Sequence, residues 1–439
     1  MNAKSIKQQQ AKWKIPFFTI WTGQAFSLVG SMLVQFALVW WLTEYTGSAT
    51  VLATASLVGL LPGIFVGPFA GALVDRWNRR VVMIVADAII ALATIGLAYL
   101  FAAGAVRVWH VYAIMFIRAV AGGFHWPAME ASTSLMVPEN HLSRVAGLNQ
   151  ALHGAMNVVS PPLGAFLLSL LPLQAVLMID VGTAALAVVP LFFTYIPQPR
   201  PRPASAEAQE GKPSLWRDLR QGLRYVWGWP GLFAVLVMGA VGNFLFNPAF
   251  SLLPLLVTDH FGGQAFHLGW LEATTGIGIL LGGLILGAWG GFRRRILTSL
   301  MGFVGIGVGI LGLGLAPAST FWLALGAIFL VGMAIAMTDG PFAAVIQAQV
   351  APDMQGRVFT LMHSLLKAMS PLSLAIAGPV ADWLGVRIWY VVGGVACVLM
   401  GLGAFFVPAI VYLEDNHNAR PACDVETTEA APVPIGAVE

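Results

Sequence analysis

Seven ionisable residues stand inside or at the edges of long apolar runs: the acids Asp87, Glu130, Asp180, Glu272 and Asp339, and the bases Arg118 and Lys367. A carboxyl withdrawn from water holds its proton more tightly and exchanges it as its access to solvent changes. That is proton-carrying chemistry, and the order of preference for it is Glu130, Asp339, Glu272. Asp87 follows Arg80 by seven residues, so bracing the neighbouring loop competes with proton carriage. For Asp180, six residues into its run, a helix-packing role competes equally.

Arg118 lies nine residues past the start of its run near Trp109, about 13 Å deep at 1.5 Å per residue. A guanidinium there is costly unless it faces a cavity or a partner, so a functional role is favoured over a structural one. Lys367, ten residues after Arg357, is expected as counter-ion to Asp339 or Glu272, two acids expected to face each other across the halves of the molecule. A lysine snorkelling to the interface is the competing reading. His125, His153 and His363 titrate near neutral pH and suit a proton relay, although a hydrogen-bonded core histidine is commoner. Gln24, Gln35, Asn149, His153, Asn157, Asn243, Asn247 and His363 are the polar groups expected to line a substrate cavity. Asn243 and Asn247 are four apart and share a helix face.

Other chemistries find no motif. The chain has no His-Glu-x-x-His, no Gly-x-Ser-x-Gly and no Gly-x-x-x-x-Gly-Lys-Ser/Thr, so hydrolytic and ATP-driven readings fall away. Its two cysteines, Cys397 and Cys423, form no disulfide framework, and no metal site or cofactor is expected.

Elements able to hold ionic groups out of water must be membrane helices. Only 10% of the 439 residues are charged, against about 25% in a soluble domain, and 58% are hydrophobic. Apolar runs give six spans, 15–43, 50–73, 81–103, 109–135, 145–170 and 174–195. Six more follow at 232–258, 267–290, 296–316, 320–348, 358–384 and 388–412. The expected fold is therefore all-α and integral to the membrane. Its domains are a tail at 1–14, a six-helix half at 15–195, a linker at 196–230, a second half at 231–412 and an acidic tail at 413–439, a solvated end. No removable signal peptide is read at the start.

With the amino terminus inside, 19 of the 23 Lys and Arg fall inside, only Arg107 and Arg387 fall outside, and two lie within spans. The positive-inside rule then puts both termini in the cytoplasm of a cell-membrane protein. The linker begins Pro-Gln-Pro-Arg-Pro-Arg-Pro and reads as extended. From Leu215 to Trp227 it becomes helical, with Leu215, Leu219, Leu223 and Trp227 in a stripe flanked by Arg217, Arg220 and Arg224. A basic amphipathic helix on the membrane face and a helix packed on cytosolic loops both fit.

The halves repeat. Pro127, Pro138 and Arg144 recur as Pro341, Pro352 and Arg357 at offsets of 214, 214 and 213. Two parallel six-helix repeats place a substrate site between them near the membrane centre.

The loop Gly71-Ala-Leu-Val-Asp75-Arg76-Trp-Asn-Arg79-Arg80 resembles the Gly-x-Leu-x-Asp-Arg-x-x-Arg-Arg loop of the major facilitator superfamily. The resemblance implies a cytoplasmic gate latch built from Gly71, Asp75, Arg76, Arg79 and Arg80. The later Gly287-Ala-Trp-Gly-Gly-Phe-Arg293-Arg294-Arg295 keeps the basic end without the acid. Arg118-Ala-Val-Ala-Gly122 resembles the Arg-bearing fourth helix of proton-coupled exporters, and Ser160-Pro161-Pro162-Leu163-Gly164-Ala165 resembles a degraded antiporter Gly-Pro-x-x-Gly-Gly motif. Thr46-Gly47-Ser48, Leu61-Pro62, Gly67-Pro68 and Gly123-Phe124-His125-Trp126-Pro127-Ala128 through Leu135-Met136-Val137-Pro138-Glu139 extend the likeness to the macrolide-efflux branch of drug exporters.

What this resemblance implies is a non-enzymatic exporter of hydrophobic or amphiphilic small molecules, driven by proton antiport through alternating access. Its partners would be substrate, protons and membrane lipids, with no nucleic acid, and the chain a monomer. A siderophore, lipid or other metabolite transporter of the same fold is the second reading; a lipid-modifying membrane enzyme is a third, without a motif to support it.

Overall fold

The computed structural model describes residues 13–198 and 215–415. The first tail up to residue 12, the Pro-rich start of the linker and the acidic tail beyond residue 415 lie outside the described residues.

Twelve long helices carry the fold. The first half contains α1 (Lys14–Thr46), α2 (Ala49–Val74), α3 (Arg79–Ala102), α4 (Val108–Met136), α5 (Glu139–Leu170) and α6 (Leu173–Phe193). A short helix α7 (Leu215–Trp227) leads into the second half. There follow α8 (Pro230–Ser251), α9 (Leu253–Asp259), α10 (Ala265–Trp289), α11 (Arg295–Leu315), α12 (Phe321–Gln349), α13 (Pro352–Leu384), α14 (Arg387–Ala404) and α15 (Pro408–Val411). Eleven of these are long and apolar enough to cross a membrane. The twelfth long helix is α4, whose 29 residues suffice in length but include Arg118, His125 and Glu130.

Local chemistry sets the boundaries. Gly47 ends α1 in the left-handed region at φ 58°, which suits glycine. Ser48 caps α2 by accepting from Val51 N, and Asn78 caps α3 by accepting from Arg80 N and Val81 N. Two expected spans are broken. The seventh stops at Ser251 and resumes at Leu253, and the twelfth stops at Ala404 with a last turn from Pro408. Pro254 and Pro408 lie in the first turns of the resumed helices, where a missing N–H costs nothing.

We call the end of the bundle with Lys14 the base and the end with Thr46 the crown. The halves meet where α13 packs on α2 and α10 packs on α5. At the crown a single core joins both halves, including Leu38, Leu42 and Leu52 with Leu252, Leu256, Ala377 and Tyr390. At the base the halves keep separate cores: Ile20, Met83, Ala128 and Leu191 in the first, Trp229, Leu232, Ile346 and Val358 in the second. The bundle is thus closed across the crown and divided at the base.

The second half packs through glycine seams. A Cβ on Gly282 would lie 2.6 Å from the Met333 carbonyl of α12, and one on Gly307 would lie 2.7 Å from Val398 N of α14. In lipid, backbone approach of this kind supplies the packing that the hydrophobic effect supplies in water.

Helix α7 buries Tyr225 and Val226 and lays Gly222 against the Arg357 carbonyl of α13. Leu223 and Trp227 of the expected apolar stripe remain exposed. One face packs on the protein, and these two stripe residues are left outside.

Candidate functional site

In the first half, a buried ion pair binds four helices. Arg118 Nη1 of α4 donates to Asp180 Oδ2 of α6 at 2.6 Å and to Thr94 Oγ1 of α3 at 2.8 Å. The Ser31 hydroxyl of α1 donates to Asp180 Oδ1 at 3.4 Å. Asp180 is 1% exposed, so its charge is affordable only because Arg118 matches it. Gly30 brings α1 in close, since a Cβ there would lie 3.0 Å from Asp180 Cα. The sequence alone does not name Asp180 as the partner of Arg118, though it carries a signal for it. Both residues lie a similar depth from the same end of their runs, seven and ten residues after Leu173 and Val108.

Beside this knot lies a cavity of about 350 Å³, within the size range of small-molecule sites. Gln24, Gln35, Asp87, Arg118, Glu130, Asn149 and His153 line it, with His125, Trp21 and Trp126. Asp87 does not brace the loop. It is buried, with His125 Nε2 3.4 Å from one carboxylate oxygen and Gln24 Nε2 donating to the other at 3.3 Å. His125 Nε2 has no hydrogen-bond partner of good geometry. Glu130 is exposed to the cavity and forms no ion pair among the described residues. Trp21 donates to Asn149 Oδ1 at 2.7 Å, and Trp126 packs edge-on against His153 at 5.0 Å. Aromatic, aliphatic and polar side chains thus share its lining.

A second cavity, of about 440 Å³, spans both halves. Gln35, Asn157 and Ser160 line it from the first half, and Phe250, Ser251 and Glu272 from the second. Gln35 lines both cavities, so they meet at α1.

Several expected groupings do not form. Glu272 on α10 and Asp339 on α12 both belong to the second half, so they do not face each other across the halves. Lys367 pairs with neither of them among the described residues; it is exposed on α13, as is His363, whose ring stacks on Phe359. Asn247 donates to Ser370 Oγ at 3.0 Å, tying α8 to α13. Asn243, Asn247, His363, Lys367 and Asp339 line neither cavity.

At the base, the loop after α2 is organised by its arginines. Arg79 bonds Asp75 at 3.2 Å and the Ala131 carbonyl of α4 at 2.7 Å, while Arg80 donates to the Phe192 carbonyl of α6. Arg76 is exposed. Gly71 makes no close helix approach here, since a Cβ on it would meet nothing within 4 Å. In the second-half counterpart the missing acid is supplied by the segment after α15. Asp415 pairs with Arg294 at 2.9 Å, and Glu414 accepts from Ile296 N at 2.7 Å at the start of α11.

A family model described as Major Facilitator Superfamily matches residues 20–366 and again 240–434. Macrolide efflux protein A of Streptococcus pyogenes is 36% identical over 390 residues, covering 89% of this chain and 95% of that protein. Multidrug efflux pump Tap of Mycolicibacterium fortuitum is 26% identical over 399 residues, covering 88% and 94%. Among solved structures, a D-xylose-proton symporter superposes with a TM-score of 0.61 at 14% identity, covering 86% of this chain and 96% of that one. At that identity the likeness is one of fold.

Proposed function

We propose that this chain, which belongs to the Major Facilitator Superfamily and is a membrane transporter rather than an enzyme, exports hydrophobic or amphiphilic small molecules of the macrolide and multidrug type. Export runs by proton antiport through alternating access. The carrying observation is the first-half cavity, whose lining combines aromatic and aliphatic side chains suited to an apolar substrate with Glu130 and the Asp87–His125 pair, the groups to which this reading gives proton exchange. Similarity to a macrolide efflux protein and a multidrug efflux pump supports the substrate class.

The excess of Lys and Arg at the base makes that end cytoplasmic. The closed crown and divided base then correspond to an inward-facing state, ready to take substrate from the cytoplasm. Rocking of the two halves exposes the cavity to the outside, where protonation of a cavity carboxylate favours release; loss of that proton to the cytoplasm resets the site. Glu130 carries the coupling proton, with Asp87 and His125 as the deeper relay. Asp75, freed from the second half at the base, latches the cytoplasmic gate in the opposite state. The Arg118–Asp180 pair holds the cavity's shape.

The test uses protein in sealed vesicles under an imposed pH gradient, with macrolides and fluorescent cationic dyes as candidate substrates. Substrate movement that requires the gradient and dissipates it supports the reading. Movement that leaves internal pH unchanged contradicts proton antiport. Failure of every compound to move, with the protein folded and inserted, shifts the assignment to a narrow metabolite or siderophore transporter. One observation favours Glu272 as a second proton site: it lines the cavity between the halves.

A further inference from the structure

Helices α2 and α13 run antiparallel across the boundary between the halves, so each begins where the other ends. At the crown, the side chain of Asp382, two residues before the end of α13, caps the start of α2. Its Oδ1 accepts from Ala49 N at 2.6 Å, and its Oδ2 accepts from the Ser48 hydroxyl at 3.0 Å and Thr50 N at 3.1 Å. The first N–H groups of a helix have no partners within it and carry a partial positive charge. Here a carboxylate from the other half satisfies two of them.

One turn earlier the backbones touch. A Cβ on Gly378 would lie 2.7 Å from Thr50 Cα and 3.0 Å from Ala53 Cβ. The segment Gly378-Pro-Val-Ala-Asp382 therefore works as a unit, in which the glycine lets the helices close and the carboxylate holds the closed position.

At the base the same two helices present the matching parts, disengaged. Helix α2 ends in Gly71-Ala-Leu-Val-Asp75, with the same Gly-x-x-x-Asp spacing. Nothing stands within 4 Å of a Cβ on Gly71, and the Asp75 side chain is 71% exposed. Helix α13 starts at Pro352 without a side-chain cap. One end of the pair is engaged by glycine and carboxylate; at the other the glycine is unpacked and the carboxylate is bound to Arg79 of its own half.

We propose that Asp382, assisted by Gly378, is the crown-side latch of the transport cycle, holding α2 while the crown is closed and releasing it when the crown opens. It alternates with the base-side latch at Asp75 in the reading above. The proposal rests on the alternating-access reading above. It makes Asp382 a positioning residue outside the substrate cavity, one that sets which face is open.

The experiment measures two distances by pulsed electron paramagnetic resonance on the full chain in lipid nanodiscs, with Cys397 and Cys423 replaced. One spin-label pair, at Ala105 and Ser319, spans the crown; the other, at Asn140 and Arg293, spans the base. In the otherwise native chain the short crown distance dominates. Asp382→Ala is expected to raise the crown-open to crown-closed ratio about tenfold, the scale of a lost helix cap with its charge, and to shorten the base distance in step. Asp382→Asn, nearly identical in shape and still an acceptor, should shift the ratio less, and carries the test if the alanine variant fails to fold. Asp75→Asn should move the ratio the opposite way. Unchanged distributions in both Asp382 variants, with the native chain sampling both states, would overturn the latch but leave alternating access standing. A single fixed crown distance in every variant, with and without a pH gradient across liposomes, would overturn both.

Discussion

In the first half every buried acid is held by a partner. Asp180 has Arg118 and Ser31, and Asp87 has His125 and Gln24. In the second half Glu272, Asp339 and Lys367 form no ion pair among the described residues, and packing rests on glycine seams between α10, α11, α12 and α14. The two halves share the recurrent Pro127/Pro341 and Pro138/Pro352, yet they use charge differently. Paired charges around one cavity tie its helices together. In the second half close backbone approach at glycines does that work.

The largest expected effect tests the pairing itself. Asp180→Ala leaves the Arg118 guanidinium unmatched inside the bundle and should cost about 3–5 kcal/mol of stability, the scale for breaking a buried pair. Thermal unfolding in detergent reads it. Replacing both residues by apolar ones, Arg118→Met with Asp180→Leu, should recover most of the loss; an unfolding midpoint in Asp180→Ala equal to that of the native chain would show that the pair does not hold the half together.

A functional contrast comes next. Glu130→Gln should lower gradient-driven export at least about tenfold, or roughly 1.4 kcal/mol of coupling, with the unfolding midpoint almost unchanged. Asp339→Asn should alter export little. The reverse ranking would move the coupling site into the second half and undo the contrast.

Smaller effects sharpen the same contrast. Asn247→Ala removes one hydrogen bond to Ser370 and should cost about 1 kcal/mol with transport retained, checked by unfolding and vesicle uptake together. Lys367→Met, at an exposed site with no ion pair among the described residues, should stay within about 0.5 kcal/mol. A larger loss would reveal a partner for Lys367 in another state of the cycle.

Most of the architecture was legible in the sequence because a bilayer leaves few choices. Apolar run length and Lys/Arg placement give the long helices, and Pro127/Pro341 gives the repeat. The breaks at Pro254 and Pro408 were harder to read, since proline is tolerated inside α4, α5, α12 and α13 as well. The site was legible by residue type but not by partner. Gln24, Gln35, Asp87, Arg118, Glu130, Asn149 and His153 do share one cavity, whereas Asn247 turns to Ser370 and Lys367 to no acid. Which face of a nearly all-apolar helix points inward is set by packing, and periodicity carries little of that signal in a helix such as α12. Asp382 escaped notice because a carboxylate near a helix end reads as an ordinary interface residue until the start of another helix is found beneath it.

The claim that the first-half cavity couples export to protons is tested most directly by comparing the native chain with Glu130→Gln in sealed proteoliposomes. Two assays are needed: gradient-driven accumulation of a transported dye or macrolide, and exchange of that compound with no gradient. The account predicts that Glu130→Gln retains exchange and loses the response to the gradient. Gradient-driven accumulation by Glu130→Gln at the native rate would contradict it.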